Sequence, residues 1–560
     1  MRPFAIGNDH FGKLRSGNWN FIDKSLFIKE IFDNQNISVS LITRPRRFGK
    51  TLNLSMLYHF LSKKVDGIAT RPLFDGLKIT EYPDIMTHQG KYPVIFLTLK
   101  GMKASTYETA LADFAGIMRD VYKSHTYLCQ NPQFAKDDQL IFERIINQNG
   151  SPTELRKALV ELCRWLKEYH QVDPWVLIDE YDTPIQTAYL HDYYDELIPL
   201  MQAVFGNTLK TNPHLNRAIL TGITRVSKES LFSDLNNVAV YTLFNEEYST
   251  HFGFTESEIE ALLVEANLTA HRDDIKYWYN GYLCGDTILY NPWSIINCVT
   301  KKGALAPYWV HTGGTKMIQK LLAEADGVVK AAFEELLKGH SITARISDHL
   351  VYGLFGADLD SVMSLLLAAG YVKATDRTQD RLHWVSTLTI PNHEIMTLFE
   401  DCIMHWFVSK GQGTQYNELL QSLVELNTEF FESTLQELLL QTASYFDTTG
   451  RNPEKFYHGL VLGMLIQLKD TYLVQSNRES GLGRYDVMLI PHDLARPAII
   501  MEFKVTQKSE TLETAAQNAL TQIHTKNYAA TLHQRGITRI LVMGLAFQGK
   551  QVHVQSEWVS

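Results

Sequence analysis

Four short apolar runs separate longer stretches of helical spacing in the first 225 residues of the chain. They occupy residues 37–43, 92–99, 175–178 and 217–221. Runs that are apolar throughout are typical of strands buried on both faces of a parallel sheet. Apolar side chains at positions 52, 54, 56, 57, 60 and 61 follow the first run and predict a helix. The pattern predicts βαβ units, with helices on both faces of the sheet and ligands at the carboxyl ends of its strands.

The second half of the chain has a different pattern. Residues 320–447 show mostly helical spacing and no cluster of reactive side chains, which predicts a helical linker region. A turn-rich stretch at 446–453 marks the start of a last domain. An apolar helical run at 456–468 and two apolar strands, at 487–490 and 498–501, complete the pattern.

The composition is that of a soluble globular protein. The 560 residues are 45% hydrophobic and 21% charged, and at about 150 residues per domain they suffice for about three domains. No run approaches the ~18 apolar residues of a membrane span, so we expect a cytoplasmic protein without a membrane partner. The five scattered cysteines indicate free thiols. A net charge of −9 argues against nonspecific nucleic-acid binding by the whole surface but leaves a local basic groove open.

Residues 44–51 read R-P-R-R-F-G-K-T and lie between the first apolar run and the predicted helix. This is the context of a phosphate-binding G-x-x-x-x-G-K-[ST] loop, with arginine in place of the first glycine. We expect N–H groups around Gly49 to face phosphate oxygens, Lys50 to reach the β- and γ-phosphates and Thr51 to bind Mg²⁺. The segment predicts a nucleotide site but does not distinguish ATP from GTP.

The arginine changes the start of this loop. Glycine permits a positive φ and close approach of phosphate, whereas Arg44 followed by Pro45 removes one N–H and constrains the backbone. Arg46 and Arg47 either supply charge to the phosphates or face solvent or a partner. The candidate nucleotide-binding residues of the loop are Arg44, Arg46, Arg47, Phe48, Gly49, Lys50 and Thr51.

The third apolar run ends in Asp179-Glu180-Tyr181-Asp182. Two carboxylates at the end of a buried strand are typical of a Walker B segment, so Asp179 is predicted to hold Mg²⁺ and Glu180 to act as the base toward water. Asp182 is either a further contact to Mg²⁺ or water, or a cap of the following segment, and we favour the cap.

The fourth apolar run leads into residues 221–225. Thr221 and Thr224 are candidates for sensing the γ-phosphate. Arg225 either stabilises the charge that develops there or makes an ordinary salt bridge.

A second group of charged residues lies near the C-terminus. Glu502 and Lys504 follow the strand at 498–501 and project to the same face, and Asp486 precedes the neighbouring strand. Two carboxylates and a lysine at one place are what phosphodiester hydrolysis requires. The alternative is an ion pair between strands at the surface.

Six motifs together resemble the bacterial AAA-ATPase-like family, whose members commonly carry a C-terminal domain similar to PD-(D/E)xK nucleases. They are F-I-D-K-S at 21–25, L-I-T-R-P-R-R-F-G-K-T at 41–51, L-I-D-E-Y-D-T-P-I at 177–185, T-G-I-T-R at 221–225, W-Y-N-G-Y at 278–282 and Y-N-P-W-S at 290–294. Arginine in place of the first glycine is the usual form in this family. The resemblance implies an AAA-type fold that binds a nucleotide, taken here as ATP with Mg²⁺.

The expected organisation has four parts. An α/β P-loop NTPase core with a parallel sheet spans 1–254, a helical lid 255–319, a helical linker 320–447 and an α/β PD-(D/E)xK nuclease-like domain 448–560. The lid begins at Thr255, where the spacing to Glu258 predicts a capping box. The aromatic-rich stretch at 278–293 either stacks on a base or packs in the core, and we favour the core.

The resemblance to PD-(D/E)xK nucleases also implies roles at the C-terminus. Asp486 and Glu502 would be metal ligands, Glu454 an auxiliary ligand and Lys504 the catalytic lysine that positions water or offsets charge. Gln522 would organise the site from a following helix.

Our first hypothesis is an ATPase whose nucleotide state controls a Mg²⁺-dependent nuclease acting on DNA or RNA. The alternative is an NTP-dependent regulatory switch in which the nuclease-like domain only docks a partner. A third hypothesis is a self-assembling homo-oligomer, because AAA-type sites often take an arginine from the next subunit. Sequence gives no basis for choosing DNA over RNA.

Overall fold

A computed structural model describes residues 2–17, 19–210, 212–226, 231, 237–309, 327–337, 339–347, 358–380, 383–399, 413–442, 461, 465, 468, 471–476, 479–480, 483–506 and 510–559. The chain forms two compact units. The first contains Met1–Thr312 and Thr343–Glu394, and the second contains Gly313–Ile342 and Ile395–Ser560. None of the helices within these described ranges is both long and apolar enough to cross a membrane.

The strands are β1 (Val39–Thr43), β2 (Lys64–Val65), β3 (Ile68–Ala69), β4 (Val94–Thr98), β5 (Trp175–Asp179), β6 (Arg217–Gly222), β7 (Val238–Tyr241), β8 (Phe254–Thr255), β9 (Tyr282–Cys284), β10 (Thr287–Tyr290), β11 (Ile342–Ile346), β12 (Lys373–Asp380), β13 (His383–Thr389), β14 (Tyr472–Ser476), β15 (Glu479–Ser480), β16 (Gly483–Arg484), β17 (Val487–Pro491), β18 (Ala498–Val505), β19 (Ile540–Gln548) and β20 (Gln551–Val559).

The α-helices are α1 (Phe11–Ser16), α2 (Leu26–Asp33), α3 (Lys50–Leu61), α4 (Pro83–Met86), α5 (Tyr107–Lys123), α6 (Lys136–Ile146), α7 (Pro152–His170), α8 (Thr183–Leu190), α9 (Tyr194–Leu209), α10 (Glu256–Glu265), α11 (Arg272–Tyr279), α12 (Pro292–Thr300), α13 (Gly327–Leu337), α14 (Leu359–Ala369), α15 (Gly413–Val424), α16 (Thr428–Thr442), α17 (Leu512–Lys526) and α18 (Ala530–Gln534). Short 3₁₀ turns occur at Arg71–Phe74, Lys78–Glu81, Thr126–Gln130 and Thr269–His271.

A five-stranded parallel sheet in the order β4-β5-β6-β1-β7 forms the centre of the first unit. Every residue of β1, β5 and β6 is buried, which explains why these strands are apolar with little alternation. Neighbouring strands are in register, with Leu41 opposite Leu220 and Val240. The predicted parallel α/β sheet is thereby confirmed, and the residues after β1, β5 and β6 emerge at one edge of the sheet.

The region predicted as a helical lid contains helices and also a small sheet that the prediction did not include. Strands β8, β10 and β9 form an antiparallel sheet beside α10, α11 and α12. The β9–β10 hairpin turns on Gly285, whose φ of 54° suits a two-residue turn. The capping box is confirmed, because Thr255 accepts from the Glu258 N–H and Glu258 accepts from the Thr255 N–H.

The region predicted as a helical linker contains helices and also three strands, between residues 342 and 389, that the prediction did not include. Strands β11, β13 and β12 form an antiparallel sheet, while α14 is helical. The sequence of β12, K-A-T-D-R-T-Q-D, is polar and mostly exposed. Its strand conformation is set by pairing with β13 along its length rather than by an apolar pattern, which is why the sequence does not reveal it.

The second unit is built on a mixed sheet in the order β14-β17-β18-β19-β20, in which only the β18–β19 pair is parallel. Helix α17 packs on this sheet beside β18 and β19. The edge strand β20 is covered by α16, because Gln436 and Glu432 accept hydrogen bonds from the N–H groups of Val552 and Val554. Side chains thus satisfy donors that an open sheet edge would expose.

Candidate nucleotide and nuclease sites

The R-P-R-R-F-G-K-T loop connects β1 to α3, as predicted. Gly49 lies at the N-cap of α3 with a φ of 83°, a conformation that favours glycine. The buried Lys50 ammonium donates to the carbonyls of Arg44 and Pro45 at 2.9 and 2.8 Å. Burial lowers the pKa of Lys50, and the charge of Glu180 is the largest effect opposing that shift. Lys50 is therefore held beneath the loop with its charge inside the protein.

Arg44 has a structural position, and its predicted role as a nucleotide ligand is corrected. Its fully buried guanidinium donates to the carbonyls of Thr43, Tyr241, Thr242 and Glu247 at 2.8–3.2 Å. These carbonyls lie at and beyond the ends of β1 and β7. The arginine at the first glycine position therefore joins the loop to the sheet instead of facing the ligand side of the loop.

Phe48 is also corrected as a nucleotide contact through its side chain. The ring is buried and packs edge-to-face against Tyr282 at 5.0 Å between centroids. Its carbonyl accepts a hydrogen bond from the Gly253 N–H at 3.1 Å. The Phe48 side chain therefore anchors the loop to the β8–β10 sheet.

Arg46 and Arg47 contact the region of the Y-N-P-W-S motif. The Arg46 carbonyl accepts from Asn291 Nδ2 at 3.3 Å and from Trp309 Nε1 at 3.2 Å. The Arg47 guanidinium lies 4.0 Å from the centroid of the Trp293 ring, a cation–π contact. The aromatic stretch thus packs against the phosphate-binding loop, as the core interpretation favoured, and no base-stacking role is needed to explain it.

Asp179, at the end of β5, accepts hydrogen bonds from two hydroxyl groups. Thr51 Oγ1 donates to it at 2.8 Å and Thr221 Oγ1 at 2.7 Å. Burial raises the pKa of Asp179, while these hydrogen bonds and the Lys50 charge lower it. The structure thus brings together Thr51 and Asp179, the two predicted Mg²⁺ ligands of this site, and both are oxygen donors of the kind Mg²⁺ prefers.

Glu180 follows Asp179 with a φ of 52°, which is unusual for a residue with a side chain. Its carboxylate accepts a hydrogen bond from Thr183 Oγ1 at 3.1 Å and is only half-buried. Arg225 is half-buried as well and follows the turn after β6. The predicted roles of both residues remain predictions.

Asp182 does not cap α8, so the role favoured for it was wrong. It occupies the N-cap position, but its carboxylate accepts instead from the N–H groups of Ile223 and Thr224 and from Thr224 Oγ1 at 2.8–3.0 Å. Gly222 leaves the space for this carboxylate, since a Cβ there would lie 2.8 Å from Asp182 Oδ1 and 2.6 Å from the Tyr181 ring. Asp182 thereby fixes the turn that follows β6, and Thr224 is engaged by it.

A cavity of about 100 Å³ lies beside Gly49. Its wall is largely apolar and combines the N-terminal segment with the lid region, including Phe4, Phe21, Phe254 and Ile296. Asn20 also lines it, and within the described ranges the buried Asn20 Nδ2 has no hydrogen-bond partner. The sequence analysis missed these residues, and the only signal was the adjacent F-I-D-K-S motif at 21–25.

The predicted nuclease residues meet at the centre of the second unit. Asp486 accepts from the Phe503 N–H at 2.8 Å, which places it beside β18. Glu502 is 2% exposed, and Lys504 Nζ lies 3.5 Å from its Oε1. Gln522 Nε2, on α17, donates to the same Glu502 oxygen. Glu454 lies outside the described residues.

The second oxygen of Glu502 has no partner within the described ranges, although it is buried. Burial is the main effect that raises the pKa of Glu502, the negative charge of Asp486 adds to it, and the Lys504 charge opposes it. A cation would reverse this shift. The unpaired oxygen beside a second carboxylate therefore fits a Mg²⁺ site, with Asp486 and Glu502 as its protein ligands.

No group of three or more His, Cys, Asp and Glu side chains within the described residues is arranged to hold a metal ion. A metal at Asp486 and Glu502 would therefore take further ligands from backbone carbonyls, water or substrate, which suits Mg²⁺. Tyr528 is a site residue that the sequence analysis missed. Its hydroxyl accepts from Gln522 Nε2 at 3.2 Å, so it helps to orient the amide that holds Glu502.

The two units define two classes of domain. A parallel sheet with a G-K-T loop after one strand and an acid pair after another defines a P-loop NTPase fold, and the second unit has the D…E-x-K…Q arrangement on a mixed sheet. Comparison with known families agrees. Residues 5–232 match the family described as a predicted AAA-ATPase, and residues 452–557 match the PD-(D/E)XK nuclease superfamily. The chain thus carries an AAA-ATPase-like domain at its N-terminus and a PD-(D/E)XK nuclease superfamily domain at its C-terminus.

The chain is also similar over nearly its whole length to a protein of Azotobacter chroococcum mcd 1, described as an uncharacterized protein in the vnfD 5' region. The two are 26% identical over 561 residues, which cover 98% of this chain and 96% of that protein. The similarity extends through the region between the two family matches.

Proposed function

We propose that the protein binds and hydrolyses ATP and that its nucleotide state controls a Mg²⁺-dependent nuclease in the second unit. The observation that carries this proposal is the burial of ionisable side chains at both sites, with Lys50 and Asp179 in the first unit and Glu502 in the second. Burying an ammonium or a carboxylate destabilises a fold unless the charge is compensated, and burial shifts the pKa of each of these groups toward its neutral form. Ionisable groups kept inside at both places are best explained by ligands that stabilise their charged forms.

At the nucleotide site each side chain has a defined task in this proposal. Lys50 exchanges its two carbonyl acceptors for phosphate oxygens, and the N-terminus of α3 adds backbone donors. Thr51 and Asp179 would hold Mg²⁺, which when bound offsets the charge of the phosphates. Glu180 accepts the proton of the attacking water.

At the nuclease site Asp486 and Glu502 would hold Mg²⁺, which when bound supplies positive charge to a phosphodiester under attack. Lys504 lies at the same carboxylate and orients the attacking water or offsets charge on the phosphate. Gln522 and Tyr528 fix the orientation of Glu502. The arrangement favours hydrolysis of nucleic acid, with DNA and RNA both as candidate substrates.

The test is a cleavage assay with purified full-length protein on DNA and RNA, with Mg²⁺ or Mn²⁺, with and without ATP. We expect cleavage that changes in rate when ATP is added, together with multiple-turnover ATP hydrolysis. Tight ATP binding without turnover or cleavage would instead support the regulatory switch with a docking domain. A cleavage rate that does not change when ATP is added would contradict the control of the nuclease site by the nucleotide site.

The cavity beside Gly49 is proposed to receive the purine base. Replacing Asn20 by leucine removes the unpaired Nδ2 donor while keeping the side-chain volume, so we expect ATP affinity to fall about tenfold and the discrimination between ATP and GTP to change. Titration with fluorescent ATP and GTP analogues measures both effects. Asn147→Leu, at an exposed position of the same unit outside the cavity wall, is the matched control and should leave both quantities unchanged. Unchanged affinity and discrimination in Asn20→Leu would place the base elsewhere.

Metal binding at the nuclease site should depend on pH. Because burial and Asp486 raise the pKa of Glu502, Mg²⁺ must displace a proton there, and affinity should increase with pH by up to about tenfold per unit until Glu502 is ionised. Calorimetric titration with Mn²⁺ between pH 6 and 8 measures this dependence. The component that varies with pH should vanish in Glu502→Gln. An affinity that stays constant across this range would show that Glu502 is not a ligand.

A further inference from the structure

A cluster of side chains in the first unit holds the backbone of the phosphate-binding loop from the lid side. We call Asn291, Ser294, Trp309 and Glu394 the loop clamp. Asn291 Nδ2 and Trp309 Nε1 both donate to the Arg46 carbonyl, at 3.3 and 3.2 Å. One carbonyl of the loop is thus held by two donors that are more than 240 residues away in sequence.

Glu394 joins the parts of the clamp to one another. Its side chain is fully buried, and its two oxygens accept hydrogen bonds from the Trp309 N–H and from Ser294 Oγ, each at 2.7 Å. Ser294 lies in the first turn of α12, which Asn291 caps through its Oδ1. A buried carboxylate is costly unless it is well bonded, so these contacts form a connected unit and not independent surface contacts.

The clamp lies at two places where the chain leaves the first unit. Trp309 is three residues before Thr312, where the first unit is interrupted, and Glu394 is its last residue before Ile395 of the second unit. The N–H of Trp309 and the carboxylate of Glu394 therefore tie together the two outgoing connections. The indole of Trp309 links this junction of the two connections to the Arg46 carbonyl of the loop.

The loop carbonyls have two alternative arrangements in the proposed function. Lys50 donates to the carbonyls of Arg44 and Pro45, and phosphate would compete for that ammonium. Release of these carbonyls would alter the adjoining peptide at Arg46, whose own carbonyl is bonded to the clamp. Binding at the loop can shift the connections only if the two states differ in their contacts, and in this scheme the contacts of the Arg46 carbonyl are the ones that would differ.

We propose that the loop clamp transmits nucleotide occupancy of the loop to the chain connections that lead into the second unit. This inference rests on the proposed function, since it supplies the route by which ATP would control the C-terminal domain. Trp309 and Glu394 are positioning residues in this scheme, because neither is placed to touch the nucleotide or the scissile bond.

The test is Trp309→Phe, which keeps an aromatic ring but removes the indole donor to Arg46. The matched control is Trp165→Phe, because the Trp165 indole N–H is buried without a partner among the described residues. Hydrogen exchange of 395–442 and the cleavage rate are measured with and without saturating ATP, and ATP affinity is measured separately. Circular dichroism and the melting temperature check that each variant folds.

We expect Trp309→Phe to bind ATP within about tenfold of the unmodified protein, because one neutral hydrogen bond is lost. Its ratio of cleavage rates with and without ATP should fall to about one, and the exchange difference in 395–442 should disappear. Glu394→Gln, which disturbs the opposite side of the clamp, should give the same loss.

Several results would overturn the inference. A full ATP response in either clamp variant would do so, and so would an equal loss in Trp165→Phe. If the unmodified protein binds no ATP, the proposed function fails, and the clamp has no nucleotide occupancy to transmit. If the protein binds ATP and responds to it while the clamp variants respond equally, only this inference fails.

Discussion

Lys50→Met is expected to abolish ATP hydrolysis and to weaken ATP binding by at least about a hundredfold. The ammonium is fully buried beneath the loop and is the charge best placed to meet the phosphates, and loss of one such group at an active site typically lowers the rate by about 10²–10³-fold. Methionine keeps most of the side-chain volume, so packing around α3 should be preserved. Binding is measured by titration with a fluorescent ATP analogue and turnover by phosphate release.

Lys91→Met is the matched control, because it removes an exposed positive charge from the same unit. It should leave binding and turnover unchanged. The melting temperature must also be compared, since Lys50→Met leaves the Arg44 and Pro45 carbonyls without their lysine donor, at a cost of about 1–3 kcal/mol. Undiminished hydrolysis in a folded Lys50→Met protein would contradict the assignment of this loop.

Glu502→Gln should reduce nucleic-acid cleavage by at least about a thousandfold while leaving ATP binding intact. The substitution keeps the shape of the side chain but removes the carboxyl that would ionise when Mg²⁺ binds, and with it one oxygen donor for the metal. Lys504→Met should produce a loss of similar size, because it removes the only cation in hydrogen-bonding range of Glu502 among the described residues. Cleavage is followed on end-labelled DNA and RNA with Mg²⁺ and with Mn²⁺.

Glu557→Gln is the control for the nuclease site. Glu557 lies in the same sheet and pairs with His524 at the surface, so its loss should affect neither cleavage nor stability appreciably. Residual cleavage at the original rate in Glu502→Gln would show that the nuclease activity lies elsewhere or belongs to a contaminant.

The buried strands of the first unit were predictable from sequence because burial on both faces selects mostly apolar residues. Every residue of β1, β5 and β6 is buried, and the central residues of β5 and β6 are apolar without alternation. Several of the strands β8 to β13 give a weak signal, because β8 and β9 have only two or three residues and β12 is polar and mostly exposed. The β9–β10 and β12–β13 pairs are hairpins between neighbouring segments, so the strand conformation of β12 depends on its pairing with β13 and not on its own apolar pattern.

The side chains of the two sites were predictable to different extents. Thr51 with Asp179, and Asp486 with Glu502, were placed correctly together because motif spacing and strand ends fix their positions. The roles of Arg44 and Asp182 were not predictable, since each depends on backbone groups that only the folded chain supplies. The cavity beside Gly49 was hidden because its wall combines the N-terminal segment with the phosphate-binding loop and residues 251–296, which are distant in sequence.

Arg44 gives the loop a permanent positive charge behind it. In the part of the chain that the structure describes, its guanidinium bonds to carbonyls and to no carboxylate, and arginine keeps its proton even though burial lowers its pKa. Dissolved ions screen a charge at this depth far less than a charge at the surface. A phosphate at the loop would be attracted by the buried Arg44 charge as well as by the donors of the loop that face it. Part of the nucleotide affinity should therefore persist at high ionic strength.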